Sequence, residues 1–124
     1  MGSDIHIYVQ YQQFNRWDET SDPNSYWSTL IDDCNPGRCY GLFAKLAGVR
    51  NYHEVSFPPL KGWPADSRLA HPSEDLDFHS ITHFTAEEYL AIVGPMDNAW
   101  GSLSALISHL NSIYPVRVLI GFDS

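Results

Sequence analysis

The chain opens on a strict alternation. In Asp4-Ile5-His6-Ile7-Tyr8-Val9-Gln10-Tyr11, the apolar positions Ile5, Ile7, Val9 and Tyr11 point one way, and Asp4, His6, Tyr8 and Gln10 point the other. Alternation carried by β-branched and aromatic residues predicts a half-buried strand. At the far end, Val116 to Phe122 is apolar enough along its length to be a central strand. Between them the pattern becomes helical. Tyr40 to Val49 places Leu42, Phe43, Leu46 and Val49 on one stripe. Thr85-Ala86-Glu87-Glu88 has the form of a capping box; it opens a helix with Tyr89, Leu90, Ile92 and Val93 on its apolar face, and Gly94-Pro95 stops it. A third helix runs from about Ser102 to Ile113, with Leu103, Leu106, Ile107, Leu110 and Ile113 at helical spacing.

The other stretches are less regular. Gln12 to Ser25 is polar, with a turn signal at Asp22-Pro23-Asn24 and a short strand ending at Trp17. Tyr26 to Ile31 begins a further extended segment, and Asp32 to Gly37 reads as a loop. Phe57-Pro58-Pro59-Leu60-Lys61-Gly62-Trp63-Pro64 can be neither a regular helix nor a central strand, since proline lacks the donor and fixes φ. It predicts an extended surface loop, ordered by the embedded Trp63. Asp77 to Phe84 alternates again, anchored by Phe78 and Ile81. Together these elements predict an α+β fold. It is one compact domain over residues 1–124, a small, mostly antiparallel sheet with the N- and C-terminal strands in it, and about three helices.

Composition narrows the function. A hydrophobic content of 44% with 18% charged residues is that of a folded chain with a real core. A net charge of −8 opposes direct binding to nucleic acid or an acidic membrane. No apolar run is long enough for a membrane span. Met1 leads straight into a strand with an acid at position 4, which predicts no secretory leader and a cytoplasmic protein. The two cysteines, Cys34 and Cys39, make neither a disulfide framework nor a complete zinc site, and free thiols are expected.

The sharpest chemical signal is a repeated triplet, Asp4-Ile5-His6 and Asp77-Phe78-His79. On a strand, residues two apart share a face, so each triplet presents a carboxylate and an imidazole together. Such groups suit a divalent metal or a proton relay, or simply satisfy one another on a polar sheet face. Arg50-Asn51, leaving the first helix, can hold an anion, or Arg50 can answer the helix dipole. His79 and His83 have the spacing of a helical zinc motif, but Ser80 stands where its glutamate would be. His83-Phe84-Thr85 matches half of the paired His-x-Thr signature of 2H phosphoesterases, and the first strand offers only His6-Ile7-Tyr8 for the other half.

The opening Met1-Gly2-Ser3-Asp4-Ile5-His6 resembles a family of small bacterial and phage proteins that begin Met-Gly-x-Asp-Ile-His. The resemblance continues through Arg38-Cys39-Tyr40-Gly41-Leu42-Phe43, Leu46 to Arg50, Lys61 to Ser67, Asp77-Phe78-His79-Ser80 and the closing Val116 to Asp123. It implies a phage setting and one site made of Asp4, His6, Arg38, Arg50, Asp77, His79 and Ser80. Such a site would take a phosphorylated or nucleotide-like small molecule, for instance a host immune signal, in an anti-defence role. Arg38, Arg50, Asn51 and Ser80 would bind the ligand. If the protein is an enzyme, hydrolysis is the simplest chemistry. Asp4, His6, Asp77 and His79 would then hold a divalent metal (zinc or manganese) that activates water, with His6, Asp77 and His79 catalytic. A second reading of the acidic balance is a protein-binding inhibitor of a basic host enzyme, with no small-molecule site.

Overall fold

β1 (Asp4–Gln12) and β4 (Val116–Asp123) pair antiparallel from Asp4 opposite Asp123 to Tyr11 opposite Val116. This is a computed structural model, and it describes residues 2–12, 27–67, 69 and 77–123. Opposed residues share a face. The register therefore puts Ile5, Ile7 and Val9 with Phe122, Ile120 and Val118 on one side of the sheet. His6, Tyr8 and Gln10 lie with Gly121, Leu119 and Arg117 on the other. β2 (Trp27–Cys34) flanks β1 and β3 (His79–Thr85) flanks β4, giving an antiparallel four-stranded sheet in the order β2-β1-β4-β3. With three helices among the described residues, this is the α+β domain expected. The turn at Asp22-Pro23-Asn24 and the strand ending at Trp17 lie outside the described residues.

The three helices, α1 (Tyr40–Ala47), α2 (Ala86–Val93) and α3 (Ala99–Asn111), form one layer. Phe43, Leu46, Tyr89, Trp100 and Ile107 are buried with Ile5, Ile7, Val118, Ile120 and Phe122 in one core. Each such side chain contributes roughly 1.5–3 kcal/mol by leaving water. The capping box at the start of α2 forms as read: Thr85 Oγ1 accepts from Glu88 N–H, and Glu88 Oε1 accepts from Thr85 N–H. α3 begins earlier than its apolar spacing suggests. Asn98 caps it by accepting from Trp100 N–H, because Trp100, 2% exposed, is its first core anchor. α1 ends at Ala47. Gly48 follows in the left-handed region at φ 71°, and a Cβ there would lie 2.6 Å from the Phe57 ring packed over it. Arg50 is thus beyond the helix, not in its last turn. β2 runs through Cys34, so Asp32 and Asp33 belong to a strand and only 35–39 is loop. Cys34 lies opposite Ile7 and packs against the core, which draws the strand on.

The second face of the sheet is the larger surprise. Its alternation suggests a solvated surface, yet Tyr8, Gln10 and Leu119 are 3%, 0% and 0% exposed. The Pro-rich segment covers them. It passes around the β3 edge, where Lys61 N–H donates to Thr82 Oγ1, Gly62 N–H to Ile81 O and His83 Nδ1–H to Gly62 O. It then crosses beneath β4, where Trp63 Nε1–H donates to Ile120 O at 2.8 Å. The Trp63 ring meets Tyr8 edge-on at 5.3 Å and Phe78 at 6.1 Å. This segment is a strap, and it divides the second face into two polar ends.

Candidate functional site

At one end, where β1 begins and β4 finishes, His6 stands opposite Gly121. Its Nε2 lies 2.8 Å from Asp123 Oδ2 and its Nδ1 2.5 Å from Asp33 Oδ1. Asp123 comes from β4 and Asp33 from β2, so one imidazole joins three strands. A register shift in the β1–β2 pairing accompanies Asp33, which has a left-handed φ of 55°. Phe78 stacks on the His6 ring at 4.4 Å and 25° between planes. That stack needs Gly121, since a Cβ there would lie 2.8 Å from the Phe78 ring. Burial of the His6 ring disfavours its charge, but hydrogen bonds to Asp123 and Asp33 outweigh it, and the pKa is raised. With a carboxylate at each nitrogen, the imidazolium satisfies both contacts as a donor.

The arginines gather beside it. Arg38 donates from Nε and Nη2 to the two oxygens of Asp4, at 2.9 and 3.3 Å. This pairing holds the Asp4 carboxyl below its ordinary pKa. The loop that presents Arg38 is fixed from both sides: Gly37 N–H donates to Asn35 Oδ1, and Trp100 Nε1–H to Gly37 O. Arg50 donates from Nε to Ser3 Oγ and from Nη1 to Tyr52 Oη, and its guanidinium lies 5.7 Å from the centre of the Tyr40 ring. Tyr40 Oη in turn accepts from Ser3 N–H.

Of the residues singled out from sequence, the fold brings together Asp4, His6, Arg38 and Arg50. The others go elsewhere. Asp77 is exposed at φ 54° just before β3. His79 lies opposite Phe122, on the helix-facing side, and shares a hydrogen bond with Ser80 Oγ at 3.0 Å. Ser80 has a φ of 52° within the irregular start of β3. The two triplets therefore do not converge. It is Phe78, between Asp77 and His79, that meets His6. No hydrogen bond or ion pair among the described residues joins Asp77 or His79 to Asp4 or His6. Asn51 closes a turn on Val55, accepting from its N–H and donating to its carbonyl, both at 2.9 Å. Asp4, His6, Asp77 and His79 do not form one ligand set, and the described residues contain no group of three or more His, Cys, Asp or Glu arranged for a metal. The cysteines are free, as expected.

Sequence reasoning missed Asp33, Asp123 and the rings of Tyr40, Tyr52 and Phe78. Asp123 carried a usable signal, because an antiparallel pairing of the terminal strands brings an acid after Phe122 near Asp4. Asp33 carried none; its role depends on a local left-handed residue.

The other end of the strap face holds a second network. Gln10 accepts from Arg117 Nε at 2.8 Å and donates to Thr29 Oγ1 and Ser67 O. Arg117 also donates to Asp66 Oδ1 at 3.0 Å. Burial lowers the Arg117 pKa, and the Asp66 contact works against that.

Fold and site thus define an antiparallel α+β domain with a helical face, a strapped face and an Asp–His–Asp clamp. No family model matches the chain, no curated protein is similar to it, and no solved structure matches it. Among the described residues, no helix is long and apolar enough to cross a membrane.

Proposed function

We propose that this is a phage-type accessory protein that binds a small phosphorylated ligand at the rim where β1 begins and β4 ends. The observation that most supports this is the clamped His6 imidazole beside Arg38 and Arg50, which are anchored through Asp4 and its neighbour Ser3. Arg38 is 53% exposed, and an ion pair in water is worth roughly 0–1 kcal/mol. A phosphate can therefore take the place of Asp4 on its fork, with two parallel N–H···O bonds. Arg50 and the exposed Tyr52 extend the donor set.

The test is a titration with inorganic phosphate and a nucleoside monophosphate, followed by 31P line shape and by backbone shifts. Arg38→Gln and Arg50→Gln should each weaken binding at least about tenfold while the fold is kept. Unchanged binding in both would refute the site. An intact ligand at the end of the titration marks the site as sequestering, and released phosphate marks it as hydrolytic.

A second reading, the acidic inhibitor, has its own observation. Leu30, Asp32 and Asp33 are exposed on β2, one of the two edge strands among the described residues. An acidic edge strand with an exposed leucine suits a basic protein partner. Its test is capture of a basic nucleic-acid-binding enzyme at moderate salt that Asp32→Lys abolishes.

A further inference from the structure

We propose that the cleft between the strap, the β3 edge and the start of α2 binds a planar, uncharged heterocycle rich in both donors and acceptors, of the nucleobase or nucleoside kind. The cleft is at the end of the strap face away from His6 and has a volume of about 410 Å3, within the range of small-molecule sites.

Its flat element is a stacked pair. The Arg117 guanidinium lies 4.1 Å from the centre of the Trp27 ring. This guanidinium cannot swing freely. Its side chain is 10% exposed, and Gln10 and Asp66 hold it through Nε and Nη1. Burying a charge inside a sheet face is costly unless it is paired. Here the charge is placed so that it holds the Trp27 ring against a fixed plate, which makes a pre-organised surface for another flat group.

The remaining lining decides the ligand's charge. Lys61 and Arg117 are balanced by Glu87 and Glu88, so the lining has no net formal charge apart from His83. Lys61 and Glu88 already approach to 3.6 Å. A phosphate entering here would meet two carboxylates, and a cation would meet two bases. A neutral ring with amino donors and carbonyl or ring-nitrogen acceptors meets neither penalty. Glu87 and Glu88 can accept from it, and Lys61 can donate to it. His83 is committed too: a carbonyl only accepts, so the bond to Gly62 O places a proton on Nδ1 and leaves Nε2 as the ring nitrogen for a ligand. This site does not depend on the phosphate rim, and the two differ in ligand charge, neutral here and anionic there.

The test is a backbone and indole NMR titration of the whole protein with adenosine, guanosine, cytidine and uridine in turn, and then with the monophosphate of the best of them. At least one nucleoside should give saturable shifts at the Trp27 indole and at 85–88, with the monophosphate binding no tighter at the cleft. Glu87→Gln should weaken that binding about tenfold, the usual effect of losing a charged acceptor. Glu87 is exposed, so this variant keeps the fold. His83→Ala serves as a second, independent variant. Arg38→Gln should leave nucleoside binding unchanged. The proposal is overturned by the absence of saturable shifts with all four nucleosides, by shifts centred on His6, or by full affinity in both Glu87→Gln and His83→Ala.

Discussion

Replacing Trp63 by alanine tests whether the strap is a structural layer. Trp63 is half-buried, and its indole N–H donates to Ile120 O in a central strand. Truncating a fully buried aromatic costs about 3–5 kcal/mol. Trp63 keeps some exposure, which brings that to roughly 2 kcal/mol as a lower bound, and the lost hydrogen bond adds about 1 kcal/mol. The sum is about 3 kcal/mol. With an unfolding entropy near 2.1 cal/mol/K per residue over 124 residues, that is a fall in Tm of about 12 °C. Urea unfolding followed by far-UV circular dichroism, with a thermal scan beside it, measures both numbers. Trp63 also contacts Phe78, which covers the His6 ring, so the His6 NMR signals should move in the same variant. A loss below about 1 kcal/mol, with Tyr8 and Leu119 amides still protected from exchange, would mean that the strap merely rests on the sheet and that the account of the second face is wrong.

Three further outcomes follow from other contacts. The His6 pKa is raised in the fold, so its clamp contributes fully below the unfolded value near 6.5 and is lost as pH rises through the folded value; the stability gap between the native protein and His6→Gln, from urea midpoints, should therefore shrink on going from mildly acidic to alkaline pH, and a constant gap would contradict the imidazolium. Gly121→Ala should displace Phe78 from His6 and narrow the dispersion of both rings' NMR signals, whereas an unchanged Phe78–His6 nuclear Overhauser pattern would show that the close approach is dispensable. Gln10→Leu leaves the buried Arg117 Nε without its acceptor and should cost about 2–3 kcal/mol in urea, part of which Arg117→Met recovers in the double variant.

Much of the frame is legible in the sequence. The alternation of β1, the apolar run of β4 and the capping box of α2 are local patterns, and each formed where its residues said it would. The strap was readable as an ordered extended loop, because three prolines and a tryptophan allow little else. Its place was not readable, since nothing local says that Trp63 lies under Tyr8. The site divides along the same line. Asp4 and His6 were found because one strand places them two residues apart. Arg50 was singled out by its place after the first helix, and Arg38 through a resemblance alone. Asp77 and His79 lie apart from them, because the two strands do not turn the same face toward one site. β3 enters the sheet through left-handed Asp77 and Ser80, and the face turned to His6 is Phe78's.

The sequence by itself determined the elements and the side of the sheet that takes the helices, since hydrophobic period is a property of neighbouring residues. Only the tertiary structure decided that the polar side is covered, and that His6 is held by acids 27 and 117 positions away. The physical reason is register. Antiparallel pairing brings Asp123 beside Asp4, and a single left-handed residue aims Asp33 at the imidazole. Both depend on how strands align with one another, and no short-range pattern records that.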